Sequence, residues 1–136
     1  MQKTFTLTTL SCLALVSIQG CSKPAEAPEI SFAKDVTPII ATNCLECHKP
    51  GGEGHRASGL VMSTEQAPDT LSYEALMKGT RFGSIIIAGD PVSSALNMLV
   101  EGRADPSIKM PHGKEELSDA DKNTLHQWVQ QGAKNN

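Results

Sequence analysis

Aromatic residues are scarce in this sequence, with one Trp, one Tyr and three Phe among 136 residues. Side chains alone therefore supply little bulk for a hydrophobic core. An excess of basic residues is also missing, because 12 Lys and Arg stand against 15 Asp and Glu for a net charge of -3. This balance excludes the electrostatic signature of a nucleic-acid-binding protein. The length fits one domain, and 39% hydrophobic with 20% charged residues is typical of a globular chain.

A hydrophobic run long enough to cross a membrane does not appear near the N-terminus. Lys3 is followed by the uncharged, mostly apolar stretch Leu7 to Ile18, which is typical of an export signal and too short for a membrane span. The stretch ends in Ile18-Gln19-Gly20-Cys21 and resembles the lipobox of bacterial lipoproteins. That resemblance implies a signal peptide over residues 1–20 and a lipid on the thiol of Cys21. A plain secretory signal with an incidental cysteine is the alternative.

Residues 21–30 follow as a lipidated cysteine and a Pro, Ala and Glu tether, because SKPAEAPEI has no apolar period. We expect an exported protein anchored to a membrane by lipid and facing the periplasm or cell surface. Ser22, where lipoproteins of the inner membrane usually carry Asp, favours the outer membrane over the inner. Cleavage leaves 11 basic and 15 acidic residues, and this balance predicts a redox partner with a basic patch.

Two cysteines remain for the folded domain once Cys12 in the signal and Cys21 are set aside. They lie in Cys44-Leu45-Glu46-Cys47-His48, the C-x-x-C-H attachment motif of c-type haem. Thiols three residues apart emerge on one side of a helical turn, where they can add to the two vinyl groups of one haem. The adjacent His48 is then the proximal ligand of the iron. We therefore expect one covalent haem c.

A zinc site and a redox dithiol are the two alternatives for the cysteine pair. A tetrahedral zinc site needs two further Cys or His at regular spacing, and His55, His112 and His126 offer no such pair. A dithiol site of the thioredoxin type needs a strand before it and a parallel sheet around it, and neither pattern is visible. The haem interpretation is the strongest of the three.

Apolar residues recur at helical spacing, and no alternating pattern of useful length indicates a strand. Residues 31–136 are therefore predicted to form one all-α domain of about four helices wrapped around the haem. The first helix contains Pro38, which either starts or bends it, and Ser31 is its possible cap. The other predicted helices run over 72–78, closed by Gly79, and over 90–102. The last one is capped by Ser118 and ends before Gly132, and long glycine-rich loops are expected over 49–59 and 102–113.

The sixth ligand of the iron is expected in the loop before the last helix. Met110 precedes Pro111, and a residue before proline adopts an extended backbone that can hold a thioether over the haem. Met62, Met77 and Met98 lie in segments where a packing role is favoured. His112 is the main rival to Met110, followed by His55.

An ordered series of motifs accompanies the haem motif: Phe32-x-x-x-Val36-x-Pro38-Ile39-Ile40, Ser58-Gly59-Leu60, Gly89-Asp90-Pro91-x-Ser93-x-x-Leu96, Met110-Pro111, Leu117-Ser118 and Trp128-x-x-x-Gly132-Ala133. Taken together, these motifs resemble the planctomycete-type cytochrome c domain, a small mono-haem relative of class I cytochromes c. The resemblance covers Phe32 to Ala133 and implies that Cys44 and Cys47 anchor the haem, that His48 and Met110 are its axial ligands, and that the first and last helices cross beside it. Relatives commonly have a second proline where this chain has His112, so a His/His pair stays open.

The predicted function is electron transfer between periplasmic or membrane redox partner proteins, with the membrane reached through the lipid anchor. Enzymatic activity and a small-molecule substrate are not expected, since a His/Met pair closes both faces of the iron. A haem enzyme or sensor with a labile sixth ligand, of the peroxidase kind, is one alternative. A non-haem CxxC metal or redox module is the other.

Overall fold

The computed structural model describes residues 27–136. Within this range the chain forms short helices joined by long connections, and no β-strand is present beyond isolated bridges. The expectation of an all-α domain is thus confirmed. The count of about four helices was too low, since six α-helices, a π-helical turn and a 3-10 turn are present. The α-helices are α1 (Thr37–Asn43), α2 (Leu45–His48), α3 (Glu53–Ser58), α4 (Tyr73–Lys78), α5 (Ala95–Val100) and α6 (Asp119–Gln130).

The predicted signal peptide over residues 1–20, the lipidation site Cys21 and the first part of the tether lie outside the described residues. Pro28 to Ile30 rest against the end of α6, where the Gln131 side chain accepts from the Ile30 amide at 2.7 Å and donates to the Pro28 carbonyl at 3.0 Å. The residues just before the predicted domain boundary thus already contact the domain. None of the helices within residues 27–136 is long and apolar enough to cross a membrane.

The first helical segment starts as a π-helical turn, Phe32–Val36, and continues as α1. The Ser31 hydroxyl caps it by accepting from the Lys34 amide at 3.3 Å. Pro38 occupies the first turn of α1. Because proline has no N–H and its ring crowds the carbonyl four residues back, the chain widens there into the π turn instead of continuing as one regular helix. Pro38 therefore both starts α1 and disturbs the turn before it.

Three predicted helix ends lie where expected. Ser72 caps α4 by accepting from the Ala75 amide at 3.2 Å, and Gly79 ends this helix with a φ of 77°. Ser118 caps α6 by accepting from the Asp121 amide at 3.1 Å. A hydroxyl at the N-cap satisfies an amide that has no partner within the helix. Both helices therefore follow from local sequence.

Two other expectations were wrong. The predicted loop 49–59 contains α3, which has no buried residue and hence no apolar period to reveal it. The helix expected from Asp90 begins only at Ala95, because Asp90 forms a local turn: its carboxylate accepts from the Ser93 amide at 3.0 Å. Such side-chain to backbone bonds compete with helix formation.

The N-terminal turn and α6 pack together to form one end of the core. The Trp128 ring is fully buried, and its centroid lies 5.5 Å from that of Phe32. Tyr73 meets Phe32 edge to face at 5.2 Å and donates its hydroxyl to the Ala133 carbonyl at 2.8 Å. The indole N–H of Trp128 donates to the Lys134 carbonyl at 2.9 Å. Three of the few aromatic side chains thus join the two ends of the domain.

Candidate cofactor site

A mostly apolar cavity of about 400 Å³ lies between α2, α3, α5 and the loop before α6. This volume falls within the range of about 300–1,000 Å³ that is usual for cofactor pockets. Four residues predicted from sequence line it together: Cys44, Cys47, His48 and Met110. The apolar walls are formed by Ala57, Leu60, Met62, Ile85, Leu96, Leu99, Val100 and Pro111.

The cysteine pair lies where α1 passes into α2. Cys44 ends α1 and starts α2, and its carbonyl accepts from the amides of Cys47 at 3.2 Å and His48 at 3.1 Å. Both thiols are free, and both residues are partly buried. Burial raises the pKa of the Cys44 thiol to about 11, partly offset by the charge of Lys114. This helical turn presents both thiols and the imidazole to the same cavity, as the motif spacing predicts.

His48 is buried, with 8% of its surface exposed. Its Nδ1 lies 3.3 Å from the Leu60 carbonyl oxygen. Since a carbonyl only accepts, the hydrogen bond requires the proton on Nδ1, which leaves Nε2 with a free lone pair. Burial lowers the pKa of His48, and this outweighs the Leu60 hydrogen bond that acts to raise it. The ring is therefore a neutral imidazole whose orientation is fixed by the Leu60 carbonyl. Metal-binding histidines are usually oriented by such a hydrogen bond from their other ring nitrogen.

Gly54 on α3 packs against the His48 ring. A Cβ at this position would lie 2.6 Å from Cε1 and 2.8 Å from Nε2 of His48. These separations are too short for any side chain, so glycine is required where α3 meets the imidazole. No sequence pattern pointed to Gly54 or to the Leu60 carbonyl as parts of the site.

Met110 reaches the cavity from the loop before α6. Its amide donates to the Leu99 carbonyl at 3.1 Å, and its partly buried side chain packs against the hydrophobic core. His112, the main rival ligand, also borders the cavity but is exposed. His55 is not among the lining residues, and its Nδ1 accepts from the Gly51 amide at 3.1 Å.

Met62 is a second methionine at the cavity, where the sequence analysis expected only a packing role. It is buried, and its amide donates to the His48 carbonyl at 2.7 Å. The backbone of Met62 is thus hydrogen-bonded directly to that of His48. Met110 comes from a different segment of the chain, after α5.

Lys114 is the basic residue that lines the cavity. Its ammonium lies 2.7 Å from the Glu46 carboxylate, so an ion pair connects α2 to the loop that follows Met110. The Glu46 hydrogen bond raises the pKa of Lys114, and the Lys114 hydrogen bond lowers the pKa of Glu46. Arg56, Arg81 and Arg103 do not line the cavity.

Residues 27–136 contain no group of three or more His, Cys, Asp or Glu side chains placed to hold a metal ion. A structural zinc site is normally built from four such ligands.

Comparison of the chain with protein-family models, with curated proteins and with solved structures finds no match. The chemistry of the cavity-lining residues therefore carries the functional argument.

Proposed function

We propose that this chain is a c-type cytochrome that transfers single electrons and holds one covalent haem c in the cavity described above. The observation that carries the proposal is the convergence of two thiols, one neutral imidazole and one thioether on a single apolar cavity. This is the donor set of a His/Met-ligated haem attached through two thioether bonds. The cavity residues thus fit the group that the C-x-x-C-H motif predicts.

Each residue has a distinct role in this proposal. Cys44 and Cys47 form the thioether bonds, and His48 offers Nε2 to the iron while Leu60 fixes its tautomer. Met110 supplies the sixth ligand, and a thioether sulfur raises the reduction potential relative to imidazole. A haem bound here supplies reversible one-electron chemistry at its iron.

Burial supports Met110 over His112 as the sixth ligand. The Met110 side chain packs against the core, whereas His112 is exposed at the cavity border. A ligand that is already packed against the cavity walls loses less side-chain entropy when it binds. Met62 is disfavoured as the sixth ligand because its backbone amide is hydrogen-bonded to the His48 carbonyl, next to the proposed fifth ligand.

With His48 and Met110 both holding the iron, a bound haem would supply one-electron chemistry without a ligand having to leave in either redox state. This favours electron transfer as the function. A peroxidase-like enzyme would instead need an open distal position and an acid-base group beside it. In the proposal, the protein is exported and lipidated at Cys21, and it acts on redox partner proteins at the outer membrane in preference to the inner membrane. We propose the relation to planctomycete-type cytochrome c domains on the same motifs.

The decisive experiment is production of the full chain in a strain with haem-attachment machinery, followed by intact mass and optical spectra of both redox states. We expect the mass of one covalent haem, a low-spin spectrum and no immediate reaction of the native protein with CO or cyanide. A colourless product would refute the haem proposal. Immediate binding of either ligand would favour the haem enzyme, and a zinc or dithiol product would favour the non-haem module.

A further inference from the structure

Two surface segments meet at the border of the cavity. Ala57 and Ser58 come from α3, Thr80 comes from the turn after α4, and all three line the cavity. Arg81 connects the segments: its amide donates to the Ser58 carbonyl at 3.2 Å, and its guanidinium donates to the Arg56 carbonyl at 2.7 Å. We call the surface formed by Arg56, Arg81 and Phe82 the arginine rim.

The arginine rim is positively charged. Segments 54–59 and 79–84 contain both arginines and no Asp or Glu. Glu53 starts α3 and also lines the cavity, but it forms no ion pair with Arg56 or Arg81. Both arginines are exposed, and neither pairs with a carboxylate among residues 27–136. Arg103, by contrast, pairs with Glu101 at 2.5 Å. The rim therefore carries two positive charges that no carboxylate of residues 27–136 pairs with, on a chain whose net charge is -3.

Phe82 adds an exposed aromatic ring to these charges. It is 82% exposed, although the whole chain has only three Phe. The Arg81 guanidinium carbon lies 5.8 Å from the centre of the Phe82 ring, so the ring and the cation form one surface. Aromatic and arginine side chains are the residues that contribute most to binding at protein interfaces.

We propose that the arginine rim is the docking surface for a redox partner protein whose contact face is acidic. This inference rests on the proposed function, because the rim borders the cavity assigned to the haem. A partner held there approaches the cofactor through the cavity wall formed by Ala57, Ser58 and Thr80. The whole-chain charge predicted a basic partner, but short-range steering depends on the charge at the contact face. The local charge therefore favours a partner with an acidic contact face in place of the basic patch predicted from the net charge.

The test uses the haem-loaded protein and measures electron transfer by stopped flow with two probe proteins. One probe is an acidic blue-copper protein, and the other is a basic c-type cytochrome of similar potential. We expect the reaction with the acidic probe to be faster and to slow as salt is added. Arg56→Gln and Arg81→Gln should each lower its second-order rate constant about threefold or more at low ionic strength, with the difference shrinking at high salt. Phe82→Ala should lower the rate constant at every salt concentration.

Lys34→Gln is the matched control, because it removes one positive charge from an exposed residue of the N-terminal π turn. It should leave the rate constant unchanged, and Arg81→Lys should retain the salt dependence. Equal effects of Lys34→Gln and the arginine variants would overturn the proposal. A faster reaction with the basic probe would also overturn it. The same holds if the arginine variants keep the normal rate constant and lose only self-association or binding to phosphatidylglycerol vesicles.

The two proposals fail in different ways. A protein without covalent haem refutes the proposed function before any rate is measured. A normal low-spin spectrum combined with rates insensitive to Arg56 and Arg81 refutes the docking surface alone. The spectrum of each variant also shows whether the substitution has disturbed the cavity.

Discussion

Met110 packs against the core at the cavity, and its replacement tests the ligand assignment directly. Met110→Ala should abolish the weak far-red absorption of Met-bound ferric haem and lower the reduction potential, because the thioether that favours ferrous iron is lost. Optical spectra and a potentiometric titration of the haem-loaded variant measure both effects.

Met98→Ala is the control for this substitution. Met98 lies on α5, is partly buried and does not line the cavity, so its replacement should leave the far-red band in place. Retention of the band in Met110→Ala would contradict the assignment. Loss of a low-potential couple in His112→Ala would support the rival ligand.

Gly54 has no space for a side chain, because a Cβ would lie 2.6 Å from Cε1 of His48. Gly54→Ala should gain about 1 kcal/mol of helix propensity but lose about 1–3 kcal/mol by overpacking, so we expect a net loss of stability together with a perturbed haem spectrum. Urea denaturation and optical spectroscopy of the haem-loaded variant measure these changes.

Asn123→Ala on α6 provides the comparison for helix propensity alone. Asn123 is exposed, and this substitution should raise the free energy of unfolding by less than about 1 kcal/mol without altering the spectrum. A Gly54→Ala variant that is as stable as the unaltered protein, with an unchanged spectrum, would show that the ring and α3 are not in tight contact.

At the level of single residues, the sequence motifs predicted Cys44, Cys47, His48 and Met110 as the site residues. All four line one cavity, and their roles toward a haem stay a prediction. The motifs did not predict the Leu60 carbonyl, because any residue type offers the same backbone oxygen. Gly54 was also missed, since the need for glycine comes from a contact between α3 and the His48 ring and not from a local turn.

At the level of helices, local capping patterns predicted α4 and α6 because Ser72 and Ser118 act within their own segments. The short helix α3 was missed because its residues face the surface and the cavity border, which leaves no apolar period. The start of α5 was placed too early because the Asp90 side chain accepts a bond from the Ser93 amide and forms a turn.

Glu101 at the end of α5 connects this helix to α6. Its carboxylate lies 3.0 Å from Nδ1 of His126 and 2.5 Å from Nε of Arg103. Partial burial acts to raise the pKa of Glu101, but the hydrogen bonds from His126 and Arg103 outweigh it and the pKa lies below the ordinary 4.5. Glu101 therefore binds a proton more readily in the unfolded chain than in the folded protein. The ionised carboxylate stabilises the fold above its ordinary pKa, and this stabilisation is lost as the pH falls through the lower pKa of the folded state.

Glu101→Gln should accordingly lower the urea midpoint at neutral pH, and the difference from the unaltered protein should shrink as the pH falls through the folded-state pKa of Glu101. Urea midpoints measured across this pH range test the prediction. Glu65→Gln, at an exposed turn residue, should give a curve parallel to that of the unaltered protein. A constant difference between Glu101→Gln and the unaltered protein at all pH values would contradict the linkage.

In the molecule as a whole, positive charge and aromatic side chains are distributed unevenly over the fold. The net charge of -3 does not describe the arginine rim, where Arg56 and Arg81 have no carboxylate partner among residues 27–136. The scarce aromatic residues are also divided, since Phe32, Tyr73 and Trp128 form one cluster while Phe82 is exposed. No composition value could reveal either division, because both depend on which segments meet in the fold.

The Trp128 cluster joins the N-terminal turn to α6, so its loss should destabilise the whole domain. Trp128→Ala removes a fully buried indole together with its hydrogen bond to the Lys134 carbonyl at 2.9 Å, and we expect a loss of about 3–5 kcal/mol in the free energy of unfolding. Phe82→Ala, at an 82% exposed ring, should change it by less than about 0.5 kcal/mol. Urea denaturation of both haem-loaded variants measures the contrast. Equally small losses in the two variants would mean that the two ends of the domain do not share one cooperative core with the rest of it.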